Sequence, residues 1–199
     1  MIKPKGLSIF ALLLAAGMAA SLYRQKEQAA GFASAPPART LGQPAPTGKS
    51  AFVGDSGYLL DFPSEYDVSP GMRGNSEVVY FFPKGTRPTE DERKYKALGM
   101  VRLEVSKPPV FNGKRATLED LKKGVRYSLE KNKETFTLKD VPMAREAFQV
   151  NITLPNEITQ LFVDGTGVFY SFTGADERLM YSLAESIKET GGSGPPKAR

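Results

Sequence analysis

From Ala51 onward, apolar and polar residues alternate through a series of short segments, each stopped by proline or glycine. A period of two marks a strand with one face buried. On that pattern strands are predicted at Ala51–Val53 and Gly57–Phe62, with Gly54-Asp55-Ser56 turning between them and Pro63 ending the second. A short strand follows at Glu65–Val68, stopped by Pro70-Gly71, and a strongly β one at Glu77–Phe82, stopped by Pro83 and Gly85. Leu98–Val105 reads as a strand with one register irregularity. Glu134–Leu138 and Ala144–Leu154 read as two more, with Val141-Pro142 turning between them and Pro155-Asn156 ending the second. Ile158–Val163 and Val168–Phe172 make a hairpin about Asp164-Gly165-Thr166-Gly167, whose glycines suit a tight turn.

The period changes to that of a helix in two places. Thr117 is a good N-cap with Glu119 and Asp120 behind it. Leu118, Leu121, Val125 and Leu129 then form a buried stripe that runs to near Asn132. Asp176-Glu177 open a second helix with Leu179, Met180, Leu183, Ala184 and Ile187 on one side. Between Thr86 and Lys96 the chain is polar, and Thr89 with Glu92 has capping-box spacing, enough for one helical turn before Gly99. Pro108-Pro109 and Asn112-Gly113 mark a loop. Strands in antiparallel pairs with two one-sided helices predict an α+β fold, an antiparallel β-sheet flanked by helices. The hairpin and helix from Glu157 to Lys188 are its organising unit.

The ends of the chain differ from this body. A basic start, Lys3-Pro4-Lys5, precedes an uncharged run from Leu7 to Tyr23, about 26 Å long as a helix. Residues 1–24 are read as a signal peptide or an N-terminal membrane anchor. Gly17 and Ala19 offer small residues for cleavage, while Arg24-Gln25-Lys26 directly behind resemble the interfacial end of an anchor, and both readings stay open. Residues 25–50, rich in alanine and proline, read as a flexible linker, 51–190 as the folded domain, and 191–199 as a disordered tail. The body is therefore expected outside the cytoplasm, periplasmic or in another extracytoplasmic compartment.

Charge and composition narrow the chemistry. Lys3, Lys5, Arg24, Lys26, Arg39 and Lys49 against Glu27 give residues 1–50 a net +5, and Lys197 with Arg199 add +2, leaving −2 on residues 51–190 of a chain that totals +5. The excess positive charge lies at the ends, so no nucleic-acid partner is expected. The 199-residue chain contains no cysteine and no histidine. That excludes disulfides, thiolate or imidazole metal sites and histidine-based acid–base or triad catalysis. No catalytic residue, cofactor or metal is assigned, and the chain is not read as an enzyme. Glu90-Asp91-Glu92 cannot converge on a point from one segment. Asp55, Asp61, Glu65 and Asp67 gather near the first hairpin and offer oxygens to a hard cation, but strand alternation splits them between faces. Gly165-Thr166-Gly167 lies between strands with no helix start behind it and is no phosphate loop. Asn151-Ile152-Thr153 is a glycosylation sequon inside a strand. The outer side of the first helix carries Lys122, Lys123, Arg126, Lys131 and, just beyond it, Lys133. A solvated face explains these residues, and so does a contact surface for an acidic partner or anionic headgroups. As a partner surface, Lys122, Lys123 and Arg126 are nominated.

Asp55-Ser56-Gly57-Tyr58-Leu59-Leu60-Asp61-Phe62-Pro63 resembles the opening motif of the PsbP-like superfamily, which includes the DcrB type. The helix from Thr117, the strand pairs and the closing Ser182–Ile187 segment stand in matching order, so the resemblance covers about residues 51–189. It implies an α-β-α sandwich and a non-catalytic role. Some relatives dock on membrane complexes, others are periplasmic lipoproteins, and a further branch are chaperones of secreted effectors. No binding residue carries over by motif. The expectation is an exported, membrane-tethered module that docks on or stabilises a membrane protein complex. A periplasmic small-ligand or metal-ion binding protein is the alternative.

Overall fold

The computed structural model describes residues 48–154 and 157–190. The anchor or signal segment, the linker up to residue 47 and the C-terminal tail lie outside the described residues. No helix among the described residues is long and apolar enough to cross a membrane.

Twelve strands and three helices follow one another along this stretch. They are β1 Lys49–Gly54, β2 Tyr58–Pro63, β3 Tyr66–Arg73, β4 Ser76–Pro83, α1 Tyr95–Leu98, β5 Val101–Ser106, β6 Val110–Phe111, β7 Lys114–Arg115, α2 Leu118–Lys131, β8 Thr135–Asp140, β9 Ala147–Leu154, β10 Ile158–Asp164, β11 Phe169–Gly174, α3 Glu177–Ser186 and β12 Lys188–Glu189. A 3-10 turn at Glu92–Lys94 leads into α1. Seven strands form one antiparallel sheet in the order β3-β4-β5-β11-β10-β9-β8. β1, β2 and β12 form a separate three-stranded sheet.

The expectation of an α-β-α sandwich is not met: strand dominates, and the layer over one face of the large sheet is itself partly sheet. β2 buries Tyr58, Leu60 and Phe62 on one side and pairs only with β1 and β12, so the first hairpin lies on the large sheet instead of extending it. There it shares a core with Val79 and Phe81 of β4, Leu103 of β5, Leu161 of β10, Phe172 of β11, and Met180 and Leu183 of α3. Ser186 bonds both the amide and the carbonyl of Asp61, tying α3 to β2. The opposite face of the large sheet is covered by α2, whose Leu118, Leu121, Val125 and Leu129 rest on Phe148, Val150, Ile152, Phe162 and Phe169. A small third cluster of Phe82, Tyr95 and Met100 sits where α1 meets β4.

Local differences from the sequence reading have local causes. β1 begins at Lys49, ahead of Ala51. β3 runs through Pro70-Gly71 to Arg73, with Pro70 opposite Val79. It is an edge strand, where a residue without an N–H can face solvent at little cost. The irregularity in Leu98–Val105 is a change of element: α1 ends at Leu98, Gly99 takes φ 62°, and the strand starts at Val101. The polar stretch before it does turn helical, but Asp91, not Thr89, caps it by accepting from the Arg93 amide. The Asn112-Gly113 loop is a two-residue hairpin turn between β6 and β7, with both φ values positive (49° and 75°) as a type I′ turn requires.

Leu183 is fully buried between the two sheets. Leu183→Ala should lower the unfolding free energy by about 2–5 kcal/mol, measured by urea denaturation; a loss below ~1 kcal/mol would mean that the α3 interface is looser than described.

Candidate functional site

α2 is the element on which the nominated partner residues lie, and its start is locally determined. The Thr117 hydroxyl accepts from the Asp120 amide at 3.2 Å, and the Asp120 carboxylate accepts from the Thr117 amide at 3.0 Å. This reciprocal cap, with Glu119 and Asp120 in the first turn, fixes the register that buries the leucine stripe. The opposite side is thereby turned to solvent.

The three nominated residues do not share one environment. Lys122 lies on the flank of α2 next to β8, with Nζ 2.5 Å from Asp140 and 3.8 Å from Glu119, and its side chain is only 17% exposed. It pins α2 to the sheet edge and is not free for a partner. Lys123 is 70% exposed and 3.8 Å from Glu119. Arg126 is exposed and makes no ion pair with a described residue. Tyr127, 52% exposed, stands beside it, and Lys131 is exposed on the last turn. Residues 123, 126, 127 and 131 follow helical spacing, so they form one stripe with Glu130. Tyr127 was absent from the sequence nomination; its position four residues after Lys123 was the available signal.

Several other polar groups are engaged within the fold. A groove of about 700 Å³ lies between β9–β10 and the N-terminus of α3, lined by Lys96, Asn151, Thr159, Asp176, Glu177 and Arg178 among others. Lys96 pairs with Glu157 at 2.6 Å. Gln149, only 1% exposed, donates to Asn151 at 2.6 Å and to Glu177 at 2.8 Å and accepts from the Tyr181 hydroxyl. Asn151 of the sequon thus lies within this network, on β9. The acids of Glu90-Asp91-Glu92 diverge: Asp91 caps the 3-10 turn and pairs with Arg93, while Glu92 meets the buried Arg102 at 2.5 Å. Asp55, Asp61, Glu65 and Asp67 are not brought together, and no group of acids among the described residues is arranged to hold a metal ion.

Two carboxylates, the buried Glu77 and the half-buried Glu189, act as tethers. Glu77 accepts from the amides of Asp55 and Ser56 and from the Tyr58 hydroxyl, holding the β1–β2 turn against β4. Burial, reinforced by Glu77, pushes the Tyr58 hydroxyl well above its ordinary pKa. At the same end of β2, where Glu189 of β12 stands opposite Tyr58, its carboxylate accepts from the Thr166 amide at 2.8 Å, from Arg145 at 2.7 Å and from Tyr170 at 3.2 Å. A Cβ on Gly165 would lie 2.4 Å from the Tyr170 ring and 2.6 Å from the Glu189 carboxylate, so only glycine lets the clamp close. The glycines of this turn therefore serve close approach as well as backbone conformation.

Comparison of the chain with family models and with curated proteins finds no match.

Burial alone would raise the Glu189 carboxyl, but the Thr166 hydrogen bonds and the Arg145 charge outweigh it and hold it at about 2. A carboxyl depressed in the folded state adds stability above its unfolded value, near 4.5, and loses it as the pH falls towards 2. Wild type should therefore lose stability across that window more steeply than Glu189→Gln, measured as melting temperature against pH. Parallel curves would remove the clamp from the acid response.

Proposed function

We propose that this chain is a non-catalytic binding module, exported and tethered to the membrane, that docks on an acidic surface of a membrane protein complex. The observation that carries the reading is the stripe Lys123-Arg126-Tyr127-Lys131. It presents three exposed cations around an exposed aromatic ring on the rigid outer face of α2, and Arg126 and Lys131 make no ion pair with a described residue. Arginine and tyrosine are the residue types that most often anchor interfaces, because each combines a large contact area with directional hydrogen bonding. The capping box and the leucine stripe hold the surface in place, so little ordering cost falls on binding. The N-terminal apolar run, as an anchor, would raise the local concentration of the domain near membrane partners, and modest contacts would suffice. The PsbP-like opening motif points the same way, towards extrinsic subunits without catalysis.

The triple variant Lys123→Glu, Arg126→Glu, Lys131→Glu tests this. Each reversed charge at an interface rim is worth about 0.5 kcal/mol, together roughly tenfold in affinity. Cross-linked affinity purification of the full-length chain from its native membranes should recover a membrane complex with wild type. Recovery should be roughly tenfold lower with the variant, most clearly at low salt, while the melting temperature falls by only about a few degrees from the lost Lys123–Glu119 pair and the new like-charge contacts on the helix. Equal recovery from both, or no co-purifying membrane complex, would overturn the reading.

A further inference from the structure

The large sheet ends at β3 on one side and β8 on the other, and the two edges are built differently. β3 carries Pro70 in its middle, followed by Gly71, and a proline on an edge strand interrupts the row of donors that another strand would need. β8 has no proline and, among the described residues, pairs only with β9. Its outer backbone edge is therefore available over Thr135–Asp140.

The side chains of β8 divide by face. Phe136 and Leu138 point to the α2 side, where they pack half-buried against the helix core, while Thr137 and Lys139 are exposed on the other side. Along α2, the Lys122–Asp140 pair places that flank of the helix next to β8. Arg126 stands one turn further along the same flank, and Lys133 is exposed in the turn that joins α2 to β8. A free strand edge is thus bordered by two half-exposed apolar side chains on one face, by Lys139 on the other, and by Arg126 and Lys133 above.

We propose that β8 is a strand-addition site for an extended segment that alternates apolar and acidic residues. Added beside β8, such a segment takes its affinity from main-chain hydrogen bonds and its specificity from alternate side chains. Its apolar residues lie beside Phe136 and Leu138, and its acidic residues lie beside Thr137 and Lys139. A second copy of this chain supplies no acid for this edge: paired antiparallel about Thr137, each Lys139 would stand opposite Thr135 of the other copy. The inference rests on the docking reading and narrows it: the partner would present this segment next to the surface that meets α2.

The test is amide hydrogen exchange on the full-length chain in detergent, with synthetic peptides of about eight residues, long enough to cover one strand. A peptide alternating valine and glutamate should slow exchange at Thr135–Asp140 and leave β3 unchanged. A valine–lysine peptide, or a valine–glutamate peptide with a central proline, should not. The double variant Thr137→Glu, Lys139→Glu, at two exposed positions, should weaken the protection at least roughly tenfold while melting as wild type does. Protection elsewhere, none at all, or protection unaffected by the double variant would overturn the proposal. So would concentration-dependent protection of β8 without peptide, which would assign the edge to a second copy. Loss of complex recovery in the α2 triple variant without any peptide protection at β8 would leave the docking reading standing and overturn strand addition alone.

Discussion

The structure depends on β11 being inserted between β5 and β10. Tyr170 lies opposite Val105 and Phe172 opposite Leu103 on one side, and Val163 and Leu161 face the same two residues on the other. Without this strand the β3-β4-β5 meander and the β8-β9-β10 meander are two half-sheets with no shared edge. Pairing residues near 105 with residues near 170 closes a long stretch of chain, and that entropic cost is met only when both faces of β11 are buried together. Its side chains suit this: Tyr170 and Phe172 enter the core shared with α3, while Phe169 enters the core under α2. One strand joins two cores as well as two half-sheets.

The polar chemistry follows from the same requirement. A domain whose main sheet is covered on both faces must satisfy every carboxylate and amide that its connections bring inside. Glu77 does so by holding the β1–β2 turn, Glu92 by meeting Arg102, Gln149 by joining β9 to α3, and Glu189 by fixing β12 to the β10–β11 turn. In each case a charged or polar group far along the sequence completes a turn or an element end. These groups look reactive when listed by type, yet their hydrogen-bonding capacity is spent on tertiary contacts. The surfaces left with spare charge are those that face outward, above all α2.

Much of this was legible because it is local. The α2 stripe, the Thr117 cap, the hairpin about Gly165 and the α3 stripe each rest on spacings of four residues or fewer, and the structure places them where the periodicity does. The layering was not legible. Whether Tyr58, Leu60 and Phe62 extend the large sheet or cover it depends on which edge β2 finds, and alternation is identical in the two cases. The two residues of β12 carry no pattern at all, and pairing with β2 alone makes them a strand. Pro70-Gly71 stops a central strand but not an edge, and edge position is a property of topology. The basic face of α2 was visible as a face. That Lys122 belongs to Asp140 was not, because the partner arrives on the next strand through the α2–β8 turn.

That pairing shapes how the surface can recognise anything. Residues 51–190 carry net −2, so attraction of an acidic partner cannot come from the overall charge of the domain. At physiological ionic strength charges further apart than about 8 Å are largely screened from one another. What a partner meets is therefore the local arrangement: Arg126 in no ion pair with a described residue although Glu130 stands one turn away, Lys123 loosely held by Glu119, and Lys122 neutralised at the sheet edge. Neutralising Lys122 removes a charge from the surface and at the same time anchors the helix flank above β8. The capping box and the buried apolar stripe of α2 supply the rigidity that makes the neighbouring cations worth meeting, since charges on a mobile helix would lose in ordering entropy much of what they gained in attraction.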